Sequence, residues 1–303
     1  MINRYLEMIR FSHTVFALPF ALLAAVLAWR VPAPAGAESQ TAGFHWTQAV
    51  GILLCMVFAR SAAMAFNRLV DRDVDAGNPR TQGRHLVTGE LSTRGVVFFT
   101  LLTSAGFVAS TALVLPNPWP LRLSVPVLIF MCLYSVTQRF TWTSHFWLGF
   151  SLFLAPVCTW IAIRGEWLTQ YPLDLLPSVV IGLAVMLWVA GFDMIYSCQD
   201  VEFDQKNQLF SVPARFGVAG ALRIAAVCHL LMVLLLAALP FLAPQLNLGG
   251  IYAVGLLLIA GLLAYEHRLV RPDDLSRVNQ AFFNVNAVVS IGLFVLVTVD
   301  SFL

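Results

Sequence analysis

Residues 175–204 of the 303-residue chain read LLPSVVIGLAVMLWVAGFDMIYSCQDVEFD. The first eighteen of these residues contain no charged side chain, and three aspartates then follow at positions 193, 200 and 204. A helix needs about 20 mostly apolar residues to cross the hydrocarbon core of a bilayer. The stretch therefore predicts a membrane-spanning helix whose far end carries acidic side chains.

The composition of the whole chain agrees with a membrane environment. Hydrophobic residues make up 59% and charged residues 11%, whereas soluble domains carry about 25% charged residues. Repeated long apolar runs predict an all-α integral membrane protein, a single domain over 1–303 with nine transmembrane helices around a central cavity. The predicted spans are 13–30, 47–66, 95–115, 121–137, 145–163, 175–198, 219–242, 249–266 and 281–302. The net charge of +2 gives no reason to expect binding to nucleic acid.

The positively charged residues predict how these spans are oriented. With the N-terminus inside, fourteen arginines and lysines fall in inside segments and three in outside segments, as the positive-inside rule requires. The inside set is Arg4, Arg10, Arg68, Arg72, Arg80, Arg84, Arg94, Arg139, Lys206, Arg215, Arg223, Arg268, Arg271 and Arg277, and the outside set is Arg30, Arg122 and Arg164. The polar loops 67–94 and 199–218 then both lie on the cytoplasmic side, and the expected location is the inner membrane of a bacterium.

The first polar loop begins with carboxylates at helical spacing. Asn67, Asp71 and Asp75 are four residues apart, so on a helix they share one face. Arg60 continues the same stripe back into the second predicted span. A charge inside a span is costly, so Arg60 is expected either to line a reaction cavity or to pair with Asp193, the other deep charge.

The second polar loop repeats the pattern. Asp193, Tyr196, Asp200 and Asp204 share one helical face at the end of the sixth predicted span. Stacked carboxylates repel one another, and a hard divalent cation such as Mg2+ removes this repulsion and binds phosphate oxygens as well. Arginine and lysine residues follow both motifs, and a guanidinium group binds phosphate with a fork of two hydrogen bonds. The two motifs together predict an Mg2+-dependent site for a diphosphate.

The motifs resemble those of a known family. Residues 67–92, NRLVDRDVDAGNPRTQGRHLVTGELS, and 193–217, DMIYSCQDVEFDQKNQLFSVPARFG, are similar to the paired acidic motifs of the UbiA superfamily of membrane prenyltransferases. Residues 10–25 and 134–149 most resemble the branch of 4-hydroxybenzoate polyprenyltransferases, which includes a subgroup with a 1,4-dihydroxy-6-naphthoate-type acceptor for menaquinone synthesis. The resemblance implies a UbiA-like fold and transfer of a polyprenyl group from its diphosphate to an aromatic acid in quinone synthesis. Arg68 stands where the family usually has aspartate.

The resemblance also implies a role for each residue of the site. The Mg2+ ligands would be Asn67, Asp71, Asp75, Asp200 and Asp204, and the diphosphate would be bound by Arg72, Arg80, Arg84, Arg139 and Lys206. Arg60 would bind the carboxylate of the acceptor, and Asp193 and Tyr196 would be catalytic. Asp193 is either the base that removes the ring proton or a contact to the diphosphate or acceptor. The expected partners are the two substrates and membrane lipid, with no obligate protein partner.

Three other functions fit parts of the pattern. A haem O synthase of the same fold would use a porphyrin acceptor and would not require Arg60. A CDP-alcohol phosphotransferase also uses repeated aspartates, but its DGxxAR…GxxxD signature is absent from the sequence. A transporter could use the charges inside the membrane. Transporter sites usually lie near the midplane between inverted repeats, whereas these carboxylates cluster at one end of the spans.

Overall fold

A computed structural model describes residues 2–9, 16–37 and 41–303 of the chain. Arg10 and residues 13–15, used above for orientation and for the first span, lie outside the described residues. The helices are α1 (Ile2–Met8), α2 (Leu18–Arg30), α3 (Trp46–Val70), α4 (Arg72–Gly77), α5 (Thr93–Thr111), α6 (Trp119–Thr137), α7 (Ser144–Arg164), α8 (Leu176–Ser197), α9 (Val201–Lys206), α10 (Val212–Leu242), α11 (Gly250–Leu269), α12 (Val278–Gln280) and α13 (Asn286–Ser301).

Most of these helices are long enough to cross a membrane. Within the described residues, eight helical segments have the length and apolar composition of a span, and each corresponds to one predicted span. The prediction of an all-helical integral membrane protein is therefore confirmed. The first predicted span differs, because α2 covers 13 residues, from Leu18 to Arg30, and is shorter than the about 20 that a span needs.

The helices group into two compact units. Of the described residues, the first unit comprises 2–9 and 46–137, and the second comprises 16–37, 41–45 and 138–303. In the first unit, α3 packs against α5 and α6. The loop that follows α4 is held to α3 by a small apolar cluster, in which Leu86 and Leu91 pack with Ala65. This cluster fixes the start of the first acidic motif, since Asn67 follows two residues after Ala65.

The second unit is organised around α8, which packs against both α7 and α10, while α2 packs on α7 and α13. Two glycines allow helices to approach closely here. A Cβ at Gly149 would overlap the carbonyl oxygen of Met186, and one at Gly191 would overlap the imidazole of His229. Small residues at helix contacts commonly allow the backbones of membrane helices to approach each other closely.

The α10 segment is interrupted near its start. Gly217 has φ 71° and ψ 170°, a left-handed region that residues with a Cβ avoid, so the first turn of α10 is set off from the long remainder. Ser211 caps that first turn, because its hydroxyl accepts a hydrogen bond from the Ala214 amide at 3.2 Å. The turn that begins at Val212 therefore has its own fixed position at the end of the α9–α10 loop.

A network of polar side chains lies buried within the spans of the second unit. The Trp188 indole donates to Asn286 Oδ1 at 2.7 Å, and Asn286 Nδ2 donates to Glu266 Oε1 at 3.0 Å. Beside this network, His229 Nδ1 and His267 Nε2 share a hydrogen bond of 2.9 Å. Asn286 directly follows a short π-helical stretch, Ala281–Val285. Polar groups inside a membrane bundle are tolerated when they find partners of this kind, so the network ties α8, α10, α11 and α13 together.

Arg164 is a buried structural cation. The sequence placed it in an outside segment directly after the fifth predicted span. It is the last residue of α7, and its side chain is 0% exposed. It binds the Asp174 carboxylate in a two-bond fork, with Nε to Oδ2 at 2.8 Å and Nη2 to Oδ1 at 2.6 Å. Its remaining donors reach the backbone oxygens of Ala28, Val31 and Pro32 at 3.1, 2.8 and 2.9 Å. Each guanidinium nitrogen thus has an acceptor, and α2 is fastened to α7.

Candidate active site

The first acidic motif lies where α3 passes into α4. The backbone continues the helical rise across the junction, since the Asp71 amide donates to the Asn67 carbonyl at 2.9 Å and the Asp75 amide to the Asp71 carbonyl at 2.8 Å. Asn67, Asp71 and Asp75 therefore keep the common face that their spacing predicted. All three are buried, at 8, 5 and 5% exposure. The structure thus brings two carboxylates and one amide together at the end of a predicted span.

A chain of hydrogen bonds orients the first of these carboxylates. Arg68 Nη1 donates to Asn67 Oδ1 at 2.7 Å, and Asn67 Nδ2 donates to Asp71 Oδ2 at 2.7 Å. The guanidinium can only donate and the carboxylate can only accept, so the orientation of the Asn67 amide is fixed. Arg68, which replaces the usual aspartate of the family, is itself buried at 5% exposure. The buried Arg68 guanidinium therefore orients Asp71 through the Asn67 amide.

The second carboxylate is paired with a predicted diphosphate-binding residue. Arg84 Nη1 donates to Asp75 Oδ2 at 2.5 Å, with the Asp75 side chain 7% exposed. The loop between them is closed by Thr81, whose hydroxyl donates to the Asp75 backbone oxygen at 3.1 Å. Arg72 and Arg80 are exposed on the same segment. Of the three arginines predicted here, the structure brings Arg84 directly to the motif.

The second acidic motif spans the junction of α8 and α9. Asp193 and Tyr196 lie in the last turns of α8, Asp200 ends the short 3-10 turn Cys198–Asp200, and Asp204 lies in α9. Asp204 Oδ2 accepts a hydrogen bond from the Ser211 hydroxyl at 2.8 Å, which ties this motif to the start of α10. Asp193 and Asp200 are half-buried. Two of the five residues predicted to bind the diphosphate, Arg139 and Lys206, are exposed.

Asp193 has a partner that the sequence did not reveal. His145, in the first turn of α7, lies with Nδ1 2.7 Å from Asp193 Oδ2, and its side chain is 4% exposed. The pairing of Asp193 with Arg60, one of the two possibilities raised from the sequence, stays a prediction. Ser211 was also missed, although a serine two residues before a proline is a recognisable helix start. His145 gave no such local signal, because its partner is 48 positions away.

A row of aromatic rings within the second unit begins at Tyr196. The Tyr196 ring lies 4.2 Å from the Phe282 ring at an angle of 33°, and Phe282 meets Phe192 edge-on at 5.2 Å. Phe192 continues to Trp188 at 4.9 Å. The rings give Tyr196 an apolar wall on one side while Asp193 is three residues away on the same helix.

Arg60 lies well inside α3, ten residues before the helix ends at Val70. It is partly buried, and it interacts electrostatically with Tyr134 of α6. This position agrees with the prediction of a charge inside the second predicted span. Its predicted role in binding the acceptor stays a prediction.

The side chains of the two motifs fit Mg2+ by donor type. Within the described part of the chain, no three histidine, cysteine, aspartate or glutamate residues form a cluster able to enclose a metal. Each motif instead offers two aspartates, Asp71 with Asp75 and Asp200 with Asp204. Mg2+ typically takes one or two carboxylates and completes its shell with water and phosphate oxygens. Hard oxygen donors without thiolate or imidazole therefore fit this ion when a diphosphate supplies the remaining ligands.

Fold and site together define a multi-span helical membrane protein with two aspartate motifs at helix ends, the class to which the membrane prenyltransferases belong. The profile of the UbiA prenyltransferase family matches residues 17–288. The chain belongs to this family, and it is a prenyltransferase. Membership favours this activity over the transporter and the CDP-alcohol phosphotransferase considered from the sequence.

Individual relatives agree with the family. The chain is 31% identical over 255 residues to a 4-hydroxybenzoate octaprenyltransferase of Methylococcus capsulatus, with 80% of each chain covered. It is similar in structure to the apo form of a UbiA homolog from Aeropyrum pernix K1, with a TM-score of 0.81, 34% identity, and 95% and 98% of the two chains covered. A UbiA homolog from Archaeoglobus fulgidus bound to DMAPP and Mg2+ shares the fold, with a TM-score of 0.68, 22% identity, and 98% and 99% covered.

Proposed function

We propose that this protein transfers a polyprenyl group from a polyprenyl diphosphate to an aromatic acid of the 4-hydroxybenzoate type, in quinone biosynthesis. The observation that carries the proposal is the first acidic motif, in which Asp71 and Asp75 are almost fully buried yet share one helical face. Buried carboxylates stacked in this way need positive charge nearby. Arg84 pairs with Asp75, and a bound divalent cation would compensate the two carboxylates together. The relative from Methylococcus capsulatus, named for this reaction, supports the same substrates.

Asp71, Asp75, Asp200 and Asp204 would hold Mg2+, and the bound ion would neutralise charge that develops on the departing diphosphate. The UbiA homolog of the same fold that binds DMAPP together with Mg2+ supports this use of the motifs. Asn67, also predicted as a ligand, has its oxygen engaged by Arg68. Its role in the proposal is therefore to hold Asp71 in place through the 2.7 Å hydrogen bond.

The arginines and lysine of the two loops would bind the diphosphate oxygens. Arg84 neutralises Asp75 in this structure, and on substrate binding its other guanidinium nitrogens are available to phosphate. The other four residues predicted to bind the diphosphate are exposed, namely Arg72, Arg80, Arg139 and Lys206. Charge-assisted hydrogen bonds of this type stabilise the leaving group as its bond to carbon breaks.

The bond changes follow those of an electrophilic aromatic substitution. The allylic C–O bond breaks and its electron pair leaves with the diphosphate. A π pair of the hydroxyl-activated ring then forms the new C–C bond, and the proton of that ring carbon passes to the Asp193 carboxylate. The Tyr196 ring, backed by Phe282, lies on the same helix as Asp193 and offers a π face to the allylic cation. The aromatic wall beyond Tyr196 is chemically suited to an isoprenoid chain.

Arg60 would bind the carboxylate of the acceptor. A guanidinium suits a carboxylate because it donates two parallel hydrogen bonds. Arg60 lies inside α3 and is partly buried. A 1,4-dihydroxy-6-naphthoate-type acceptor for menaquinone carries the same carboxylate and an electron-rich ring, so it is the second candidate. The predicted single domain and central cavity stay predictions.

The active site is proposed to face the cytoplasm, with the N-terminus on the same side, in a bacterial inner membrane. The excess of arginine and lysine in the segments next to both motifs supports this orientation. Arg164 is left out of this count of charges, because its guanidinium is paired with the Asp174 carboxylate inside the second unit.

Product formation tests the proposal. Membranes that contain the protein, incubated with Mg2+ and a polyprenyl diphosphate, are expected to convert 4-hydroxybenzoate to its prenylated product, with one diphosphate released for each product. Mass spectrometry measures the product, and parallel incubations receive 1,4-dihydroxy-6-naphthoate or an excess of EDTA. Product from the naphthoate alone would move the protein to the menaquinone branch. Absence of product from both acids, with folded protein and Mg2+ present, would contradict the proposal.

The role of Arg60 can be tested with an acceptor that lacks the charge. Replacing Arg60 by methionine should raise KM for 4-hydroxybenzoate by about tenfold or more, because a charged hydrogen bond worth about 1.5–3 kcal/mol is lost. The same variant should leave KM for methyl 4-hydroxybenzoate nearly unchanged, since the ester offers no carboxylate. Equal losses with the acid and the ester would show that Arg60 does not recognise this group.

A further inference from the structure

His145 lies where the first turn of α7 approaches both α8 and the start of α10. Its imidazole is buried, and its two nitrogens have different partners. Nδ1 lies 2.7 Å from Asp193 Oδ2, and Nε2 lies 3.2 Å from the backbone nitrogen of Val212. The ring therefore bridges a carboxylate of the site and the first turn of a long helix.

The partners decide which nitrogen of His145 carries the proton. A backbone N–H can only donate, so the Val212 amide requires a lone pair on Nε2. In the neutral ring the proton must then be on Nδ1, which points it at the Asp193 carboxylate. The geometry thus specifies the Nδ1–H tautomer, with the Val212 amide as donor on one side and Asp193 as acceptor on the other.

The hydrogen bond from His145 leaves part of Asp193 available. It engages Oδ2, and the Asp193 side chain remains 25% exposed. Within the described residues, His145 is the one hydrogen-bond donor to this carboxylate. With Oδ2 held, Oδ1 is the oxygen that can face a substrate.

We propose that His145 is a positioning residue, which holds Asp193 so that one carboxylate oxygen faces the aromatic acceptor. This inference rests on the function proposed above. The same turn also fixes the second acidic motif, because Ser211 donates to Asp204 Oδ2 at 2.8 Å and Val212 is the next residue. Two adjacent residues at the start of α10 thereby set the position of Asp204 directly and of Asp193 through His145.

A purely structural role for His145 would be to accept the Val212 hydrogen bond and so fix α10. Two substitutions separate the roles. In His145→Asn the amide nitrogen takes the place of Nδ1, which keeps a donor for Asp193 but leaves Val212 without its acceptor. In His145→Gln the amide oxygen reaches the place of Nε2, which keeps the acceptor for Val212 but leaves Asp193 without its donor.

The positioning role predicts opposite effects for the two variants. His145→Gln should lower kcat for prenyl transfer by about 100-fold with little change in KM for the diphosphate, since misplacing a reacting group costs about that much. His145→Asn should retain most of the wild-type kcat. Activity that is retained in the glutamine variant and lost in the asparagine variant would overturn the proposal, as would wild-type kcat in both or equal losses in both.

A double substitution and a spectrum complete the test. In an Asp193→Ala background, His145→Gln should cause no further loss, because the two residues act through one contact. Full additivity would contradict the proposal.

Nitrogen NMR of 15N-histidine protein, assigned by comparison with His145→Gln, should show a Nδ1–H tautomer at His145 whether or not the enzyme turns over. If wild-type protein forms no product, the proposed function fails. If product forms but the order of the variants is reversed, only the role of His145 fails.

Discussion

Replacing Asp71 by asparagine should lower kcat for prenyl transfer by about 10²–10³-fold, the loss typical of removing one preorganised charge from a reacting centre. The substitution is nearly isosteric, and the new amide oxygen can still accept the hydrogen bond that Asn67 donates at 2.7 Å. The helix junction therefore keeps its shape while one negative charge is lost. Raising the Mg2+ concentration should restore part of the activity, because the variant loses a metal ligand rather than its fold.

Asp73 provides the matched control for Asp71. It lies two residues further on, in the same acidic segment, but its side chain is exposed. Asp73→Asn changes the net charge of the segment by the same amount and should leave product formation close to the wild-type rate. Product is measured by mass spectrometry in membranes with equal amounts of folded protein. Similar activity in Asp71→Asn and Asp73→Asn would remove Asp71 from the metal site.

Replacing Arg164 by methionine should destabilise the protein by about 3–5 kcal/mol, the cost of breaking a buried ion pair by removing one partner. Methionine fills much of the same space, but among the described residues it leaves the Asp174 carboxylate with one donor, the Trp160 indole at 3.3 Å. The backbone oxygens of α2 and the segment after it also lose their donors. Denaturant titration of the purified protein in detergent measures the change in the free energy of unfolding.

Arg122 is the control for this second prediction. It also lies over a tryptophan ring, with its guanidinium carbon 5.7 Å from the centre of the Trp119 ring, but it is exposed. Arg122→Met should change stability by no more than about 0.5 kcal/mol, as exposed substitutions usually do. Replacing both partners of the ion pair by apolar residues, with Arg164→Met and Asp174→Leu, should recover part of the lost stability. If Arg164→Met unfolds at the same denaturant concentration as Arg122→Met, the ion pair contributes little.

The sequence predicted the spans well where the signals are local. The sixth span was expected at 175–198, and α8 runs from Leu176 to Ser197, since a proline near the start and the apolar run define it without reference to other helices. The seventh was expected at 219–242, and the long part of α10 follows Gly217 as far as Leu242. The turn before Gly217 was missed although Ser211 gives a local signal for a helix start. The contact that holds the turn to α7, from the Val212 amide to His145, joins residues 67 positions apart and had no local signal.

The acidic motifs were predictable for the same reason. Helical spacing alone placed Asn67, Asp71 and Asp75 on one face, and the backbone of the α3–α4 junction keeps that spacing. Their partners were not predictable, because hydrogen bonds such as that from His145 to Asp193 depend on how α7 packs on α8. The burial of Arg164 was not predictable for a related reason. An arginine at the end of an apolar run looks solvated until the carboxylate of Asp174 and the backbone oxygens around it are known.

The contact between Gly191 and His229 limits how this sequence can diverge in evolution. His229 fills the space that a side chain at position 191 would occupy, and it also joins the α8 backbone through the Trp188 carbonyl at 3.2 Å. A mutation to alanine at 191 can be accepted only after the imidazole has been replaced by something smaller. The histidine can be lost first only if His267 finds another partner. Positions 191, 229 and 267 should therefore change together among descendants of this protein.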